Sequence, residues 1–193
     1  MMGREVPARC TARAVLQEQL SRSLIHEAEA FCALLAAFAG GSTRDIVRRL
    51  LRRLTALQHA TVDAFTRARL PTIVGIHDPC DRPFCPAQGV EEEGRAIGRA
   101  VEATLGDDDA YWFAWSPAEA PESPDEARTF RVSVDLTDLY IDLRSVLAAR
   151  GLCQEYDTIW TATELLRGYR YHWHRHLVDA LSVMVRIDVW TRR

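Results

Sequence analysis

The stretch Val134-Asp135-Leu136-Thr137-Asp138-Leu139-Tyr140-Ile141-Asp142-Leu143-Arg144-Ser145-Val146-Leu147, followed by Gly151, decides the architecture. Its apolar positions Leu136, Leu139, Tyr140, Leu143, Val146 and Leu147 recur at the three- and four-residue intervals of a helix with one buried face. Ser133 is placed to cap that helix. Asp135 stands in its first turn, where the helix dipole favours a carboxylate, and Gly151 terminates it. Toward the C-terminus the same periodicity predicts a longer helix from about Asp157 to Trp190, with Ile159, Leu166, Tyr169, Trp173, Leu177, Ala180, Leu181, Met184 and Ile187 facing inward.

Toward the N-terminus three more helices are predicted. Thr11 to Phe38 carries Leu16, Leu20, Leu24, Phe31, Leu35 and Phe38 on one face and ends at Gly40-Gly41. Ser42 followed by Asp45 resembles a capping box, and it opens a second helix with the stripe Val47, Leu50, Leu51, Leu54 and Phe65. Pro71, Gly75, Pro79, Pro83 and Pro86 then forbid a helix, so residues 70 to 88 read as a long loop. A third helix covers Val90 to Leu105. It leads through Gly106-Asp107-Asp108-Asp109 into Tyr111, Trp112, Phe113 and Trp115, read as a helical turn packed on the bundle. Residues 117 to 128 form a second loop, rich in Pro, Glu and Ser. The strand-like alternation of Thr129 to Val134 reads as an extended lead-in, for want of a partner strand. The expectation is an all-α, antiparallel up-and-down bundle of about five helices with two long loops: one domain over residues 11–193 after a tail at 1–10. The cluster Tyr111 to Trp115, with Trp160 and Trp173, is expected to be buried between the third, fourth and fifth helices.

Composition narrows the function classes. With 193 residues, 48% hydrophobic and 26% charged, the chain is an ordinary globular domain large enough to build a core without staples. The formal charge of −3 gives no global attraction to nucleic acid or to an anionic membrane. All 24 basic residues are arginine, which excludes Schiff-base lysine chemistry and a P-loop lysine. No apolar run reaches the length of a membrane span, the N-terminus has no secretory pattern, and the five cysteines are irregularly spaced. A cytoplasmic protein with reduced thiols is expected. No G-x-S-x-G, H-E-x-x-H or glycine-rich phosphate loop is present.

Three groups of residues carry candidate chemistry. His172, His176 and Asp179, spaced i, i+4, i+7, fall within about 60° of one another on a helix and make a polar stripe suited to a metal ion. Asp135, Asp138 and Asp142 occupy a similar arc on the fourth helix, and antiparallel packing would turn both stripes toward one cleft, with Tyr140 and Trp173 as further candidate lining residues. Hydrogen-bonded structural histidines and a solvated acidic face are the competing reading. Second, His77, Cys80 and Cys85 offer three zinc-type donors on the proline-rich loop, but the spacing is loose and a fourth ligand is missing. Third, Arg44, Arg48, Arg49, Arg52 and Arg53 form a basic face. It could track a phosphate backbone or meet carboxylates of a neighbouring helix or a protein partner, and it lacks interleaved aromatics.

The strings Asp135-Leu136-Thr137-Asp138-Leu139-Tyr140-Ile141-Asp142-Leu143, Tyr171-His172-Trp173-His174-Arg175-His176-Leu177 and Asp179-Ala180-Leu181 resemble the bacterial family known as domain of unknown function 5063. The segments Asp109 to Pro117 and Glu29 to Leu35, with Cys32 after Phe31, resemble its other recurrent stretches. The chain departs from the family pattern at His174, where a small residue is usual, and in the His77/Cys80/Cys85 loop. The resemblance implies a helical cytoplasmic protein and lends no activity.

The expected function is therefore that of a non-catalytic binding or regulatory module acting through a protein partner, with no cofactor and no membrane. Two alternatives stand beside it: a metal-dependent enzyme with a divalent ion at the His/Asp cleft, and nucleic-acid binding through the arginine-rich second helix.

Overall fold

The computed structural model describes residues 8–38, 42–68, 88–112, 129–152 and 158–190. The elements run α1 (Ala8–Ala36), α2 (Thr43–Asp63), α3 (Val90–Leu105), β1 (Ala110–Trp112), β2 (Thr129–Arg131), α4 (Val132–Leu152), α5 (Thr158–Gly168) and α6 (His174–Trp190). Among the described residues the fold is an all-α bundle bearing one two-stranded ribbon. The two proline-rich segments read as loops, the His77/Cys80/Cys85 group and the side chains of Trp112, Phe113 and Trp115 lie outside the described residues. Helix α1 begins at Ala8, inside the stretch assigned to a tail.

Cross-helix pairs fix the antiparallel arrangement. Arg53 reaches Glu27 at 3.3 Å while Gln17 reaches the Ala68 carbonyl at 2.7 Å, so α1 and α2 run in opposite directions. Arg48 meets Asp188 at 3.1 Å and Gln58 meets the Tyr169 hydroxyl at 3.2 Å, which sets α2 against α6 in the same sense. The core between the helices holds Leu24, Phe31 and Leu35 of α1, Leu50, Leu54 and Leu57 of α2, and Leu136, Leu139 and Leu143 of α4, all fully buried. Every predicted inward position of the fourth helix is buried. Ser42 caps α2 as expected: its hydroxyl accepts from the Asp45 amide at 3.2 Å and donates to the Asp45 carboxylate at 2.7 Å.

Two π-helical turns shift the phase of the pattern. Ala64–Ala68 continues α2 with an extra residue per turn, so Ala64 and Ala68 point inward and Phe65 is 51% exposed, against its expected place in the core. Tyr169–Trp173 links α5 to α6, and the predicted fifth helix is therefore one helical run with a π turn in its middle. Gly168 makes room for that turn: a Cβ there would lie 2.9 Å from Trp173 Nε1.

The described part of the aromatic segment, Tyr111 and Trp112, is a strand, not a helical turn. β1 and β2 pair antiparallel with Tyr111 opposite Phe130, ring centroids 5.9 Å apart, and this cross-strand pair supplies the partner the sequence did not reveal. The ribbon also changes how α4 starts. The helix begins at Val132, and Asp109 rather than Ser133 provides the cap, its buried carboxylate accepting from both the amide and the hydroxyl of Ser133 at 2.7 Å. Tyr111 and Trp173 are buried, whereas Trp160 is half-buried.

Gly94 and Gly98 let α3 lie close against α4. A Cβ on Gly98 would stand 2.4 Å from Thr137 Oγ1, and that hydroxyl is held by the Ser133 carbonyl at 2.7 Å. Gly98→Ala gains about 1 kcal/mol of helix propensity, yet the clash with a β-branched, hydrogen-bonded neighbour outweighs it. A net destabilisation of about 1 to 2 kcal/mol is expected. Urea denaturation of Gly98→Ala, alone and combined with Thr137→Ala, checks this: the double variant should recover most of the loss.

Candidate functional site

The α4 and α6 stripes do face each other. Asp135 and Asp138 stand one turn apart on α4, and Asp142 follows one turn later. Opposite them the π turn delivers His172 and the first turns of α6 deliver His176 and Asp179. His176 Nδ1 lies 2.9 Å from Asp135 Oδ1, and His172 Nδ1 lies 2.5 Å from Asp142 Oδ2. Asp138 Oδ2 stands 3.8 Å from His176 Nε2, and the two imidazole rings meet edge to face with centroids 5.1 Å apart. The carboxylate ladder of one helix thus fixes the imidazole ladder of the other.

Burial grades the site from inside to outside. Asp135 is buried and accepts a second hydrogen bond, from the Tyr111 hydroxyl at 2.5 Å. Its two oxygens therefore serve Tyr111 on the ribbon and His176 on α6, tying three elements together. Desolvation and the bond to Asp135 push the Tyr111 hydroxyl well above the usual phenol range, so it remains a donor. At the outer end the His172 side chain is 51% exposed and that of Asp138 is 39% exposed.

The cluster holds more acid than it neutralises. Burial lowers the His176 pKa, but the hydrogen bond to Asp135 and the charges of Asp138, Asp135 and Asp142 outweigh that, leaving it raised. Asp138 is raised by desolvation and by Asp142 and Asp135, against the opposing pull of His176 and His172. Asp179 is raised by its burial and by Asp135, while Arg175, 3.7 Å away, draws it back.

Not every predicted member belongs to the cleft. Tyr140 lies in the core, with its hydroxyl bonded to Glu93 and raised by desolvation. Trp173 is also on the core side and donates from Nε1 to the Leu165 carbonyl at 3.1 Å. His174 points away, with Nδ1 3.0 Å from the Tyr169 carbonyl. Tyr111 is the member that sequence reasoning placed only in the core. Its signal was the aromatic strand beside the strand-like residues 129 to 134.

Among the described residues no three or more His, Cys, Asp or Glu side chains form a group able to hold a metal ion. Asp179, the third predicted ligand, has Arg175 as its ion contact instead of sharing a centre with the imidazoles. On the basic face, Arg48 is bound to Asp188 and Arg53 to Glu27, so two of the five arginines meet carboxylates of neighbouring helices. No described helix is long and apolar enough to cross a membrane.

The model of the family described as domain of unknown function (DUF5063) matches residues 16–189. The chain belongs to that family. A solved structure, protein BF1032 from Bacteroides fragilis, shares the fold with a TM-score of 0.62 at 16% identity, over 86% of this chain and 89% of that one. No curated protein matches the chain. The whole α4–α6 cluster lies within the matched span.

Proposed function

We propose that the protein is a non-catalytic binding module that acts through a protein partner, and that the acidic seam between α4 and α6 receives cationic side chains of that partner. The carrying observation is the juxtaposition of surplus carboxylates with exposed apolar residues. Asp138 and Asp142 stand at the open end of the cluster, Val134 is exposed one turn before Asp138 on α4, and Tyr171 is exposed next to His172 in the π turn. Tyr171 is 70% exposed, an unusual position for a ring that large. A guanidinium or ammonium entering the seam would meet Asp138, whose carboxyl is held above its ordinary range by desolvation and by the neighbouring Asp142 and Asp135, and apolar contacts around it would shield that pairing from water.

A photo-crosslinking amino acid in place of Tyr171, introduced in the native host, tests this. A discrete adduct with one protein is expected, and it should vanish when Asp138→Arg and Asp142→Arg are combined. An adduct unaffected by the charge reversal, or no adduct, counts against the reading.

One observation favours a metal-dependent enzyme as the second reading. Both imidazoles present Nδ1 to a carboxylate, the outer-shell arrangement that fixes a histidine tautomer and leaves Nε2 to a metal. Near-stoichiometric zinc, iron or manganese that copurifies with the protein and is lost in His172→Ala and His176→Ala would replace the binding-module reading with this one. With a module, His172→Ala should stay folded and chelator should leave the melting temperature unchanged.

A further inference from the structure

The groove between the second half of α1 and the first half of α2 is built from elements other than the acidic seam. Ala30, Ala33 and Ala37 with Leu34 form its floor, and Arg49, Arg52 and Arg53 form its rim. Its volume is about 730 Å³, room for several side chains and more than an isolated anion fills. We propose that this groove docks an acidic amphipathic helix of a protein partner.

Charge and shape both select that occupant. The rim carries three guanidiniums, of which Arg53 is paired with a carboxylate, Glu27, at 3.3 Å. Arg52 donates from Nε to the Arg48 carbonyl at 3.3 Å and has no carboxylate partner among the described residues, nor has Arg49. Spaced i, i+3 and i+4, the arginines rise along the helix by about 4.5 and 6 Å. Carboxylates at i and i+4 of a facing helix repeat at about the same distance and suit the bidentate guanidinium fork. The alanines, two on α1 and Ala37 in the turn that follows it, are spaced i, i+3 and i+7, and small side chains let a third helix approach closely while its apolar face covers Leu34. A nucleic-acid strand fits less well. Among the described residues no aromatic side chain lines the groove for base stacking, and the floor is hydrocarbon where a phosphate backbone would require donors.

Fluorescence anisotropy on the full chain tests the proposal, with a labelled peptide of roughly 20 residues in which Glu at i and i+4 flanks an Ala/Leu stripe. Saturable binding that weakens at raised salt is expected. Arg49→Glu combined with Arg52→Glu should weaken it by about tenfold or more. Ala33→Trp keeps every arginine and fills the floor, and it should weaken binding as strongly; circular dichroism shows that both variants remain folded. Absence of peptide binding, or equal binding by a scrambled peptide of the same composition, overturns the proposal. So does tighter binding of a single-stranded RNA or a duplex DNA of similar length, which would make the occupant a nucleic acid. Self-association in sedimentation, abolished by the same charge reversal, would make it a second copy of the chain and also overturn the proposal.

Discussion

Trp173→Ala is expected to lower the stability of the bundle by about 3 to 5 kcal/mol, among the largest losses any single truncation should produce. The indole is fully buried and meets Tyr169 edge to face, with centroids 4.8 Å apart. Its Nε1 donates to the Leu165 carbonyl, eight residues back along the chain. Truncation would leave a cavity beside Leu165 and strip that carbonyl of its indole donor, and the π turn from Tyr169 to Trp173 would lose the side chain that fills the space above Gly168. For a chain of this length the melting temperature should fall by roughly 6 to 20 °C. Trp173→Phe separates the two terms, because it keeps most of the apolar volume and removes only the hydrogen bond. Guanidinium denaturation should place it between the wild type and the alanine variant. Equal stability of all three proteins would show that the π turn does not depend on this ring.

The helices were legible because each carries its pattern locally. The apolar positions of α4 and the Ser42/Asp45 start of α2 depend only on residues a turn or two apart, and the structure reproduces them. The π turns were not legible, since the inserted residue reveals itself only when a side chain such as Phe65 turns outward or Trp173 folds back over Gly168. The β-ribbon was missed for a different reason. Its two strands are three residues each and are separated by sixteen residues of chain, so neither could declare its partner.

The candidate site divides along the same line. Its two ladders followed from helical spacing, and antiparallel packing brought them together, as α4 and α6 show in the contacts of Asp135 and Asp142 with His176 and His172. The inner end, where Asp135 joins Tyr111, required the ribbon and so was invisible. Tyr140 lies two residues from both Asp138 and Asp142, and Trp173 one residue after His172; at about 100° per residue both turn away from the stripe, and these two face the core.

Asp135→Ala should also cost about 3 to 5 kcal/mol, by removing one partner from a buried polar set. The carboxylate is the shared acceptor of Tyr111 and His176, and without it a buried hydroxyl and a half-buried imidazole both lose a partner. The more specific consequence concerns pH. In the folded protein His176 holds its proton above the ordinary histidine value, so its contribution is fully present below about pH 6.5 and disappears as the pH rises through the raised value. Asp138 and Asp179 are also raised, and the folded state therefore binds more protons than the unfolded chain at these sites too. As the pH rises from about 4, those two carboxylates are forced to ionise while partly desolvated and near the charge of Asp135, and stability falls further. All three groups act in one direction: the cluster stabilises the fold more at mildly acidic than at alkaline pH. Urea midpoints measured from pH 5.5 to 8.5 should decline for the wild type over this range. In Asp135→Ala the decline should be shallower, because His176 loses its principal hydrogen-bond acceptor and Asp138 and Asp179 lose a repelling neighbour. Asp135→Asn separates charge from shape, since an amide oxygen can still accept from Tyr111 while the negative charge is gone. It should flatten the pH dependence like alanine while retaining more of the stability. A wild-type midpoint that rises across this pH range would show that His176 is not held in its protonated form by the carboxylates of α4.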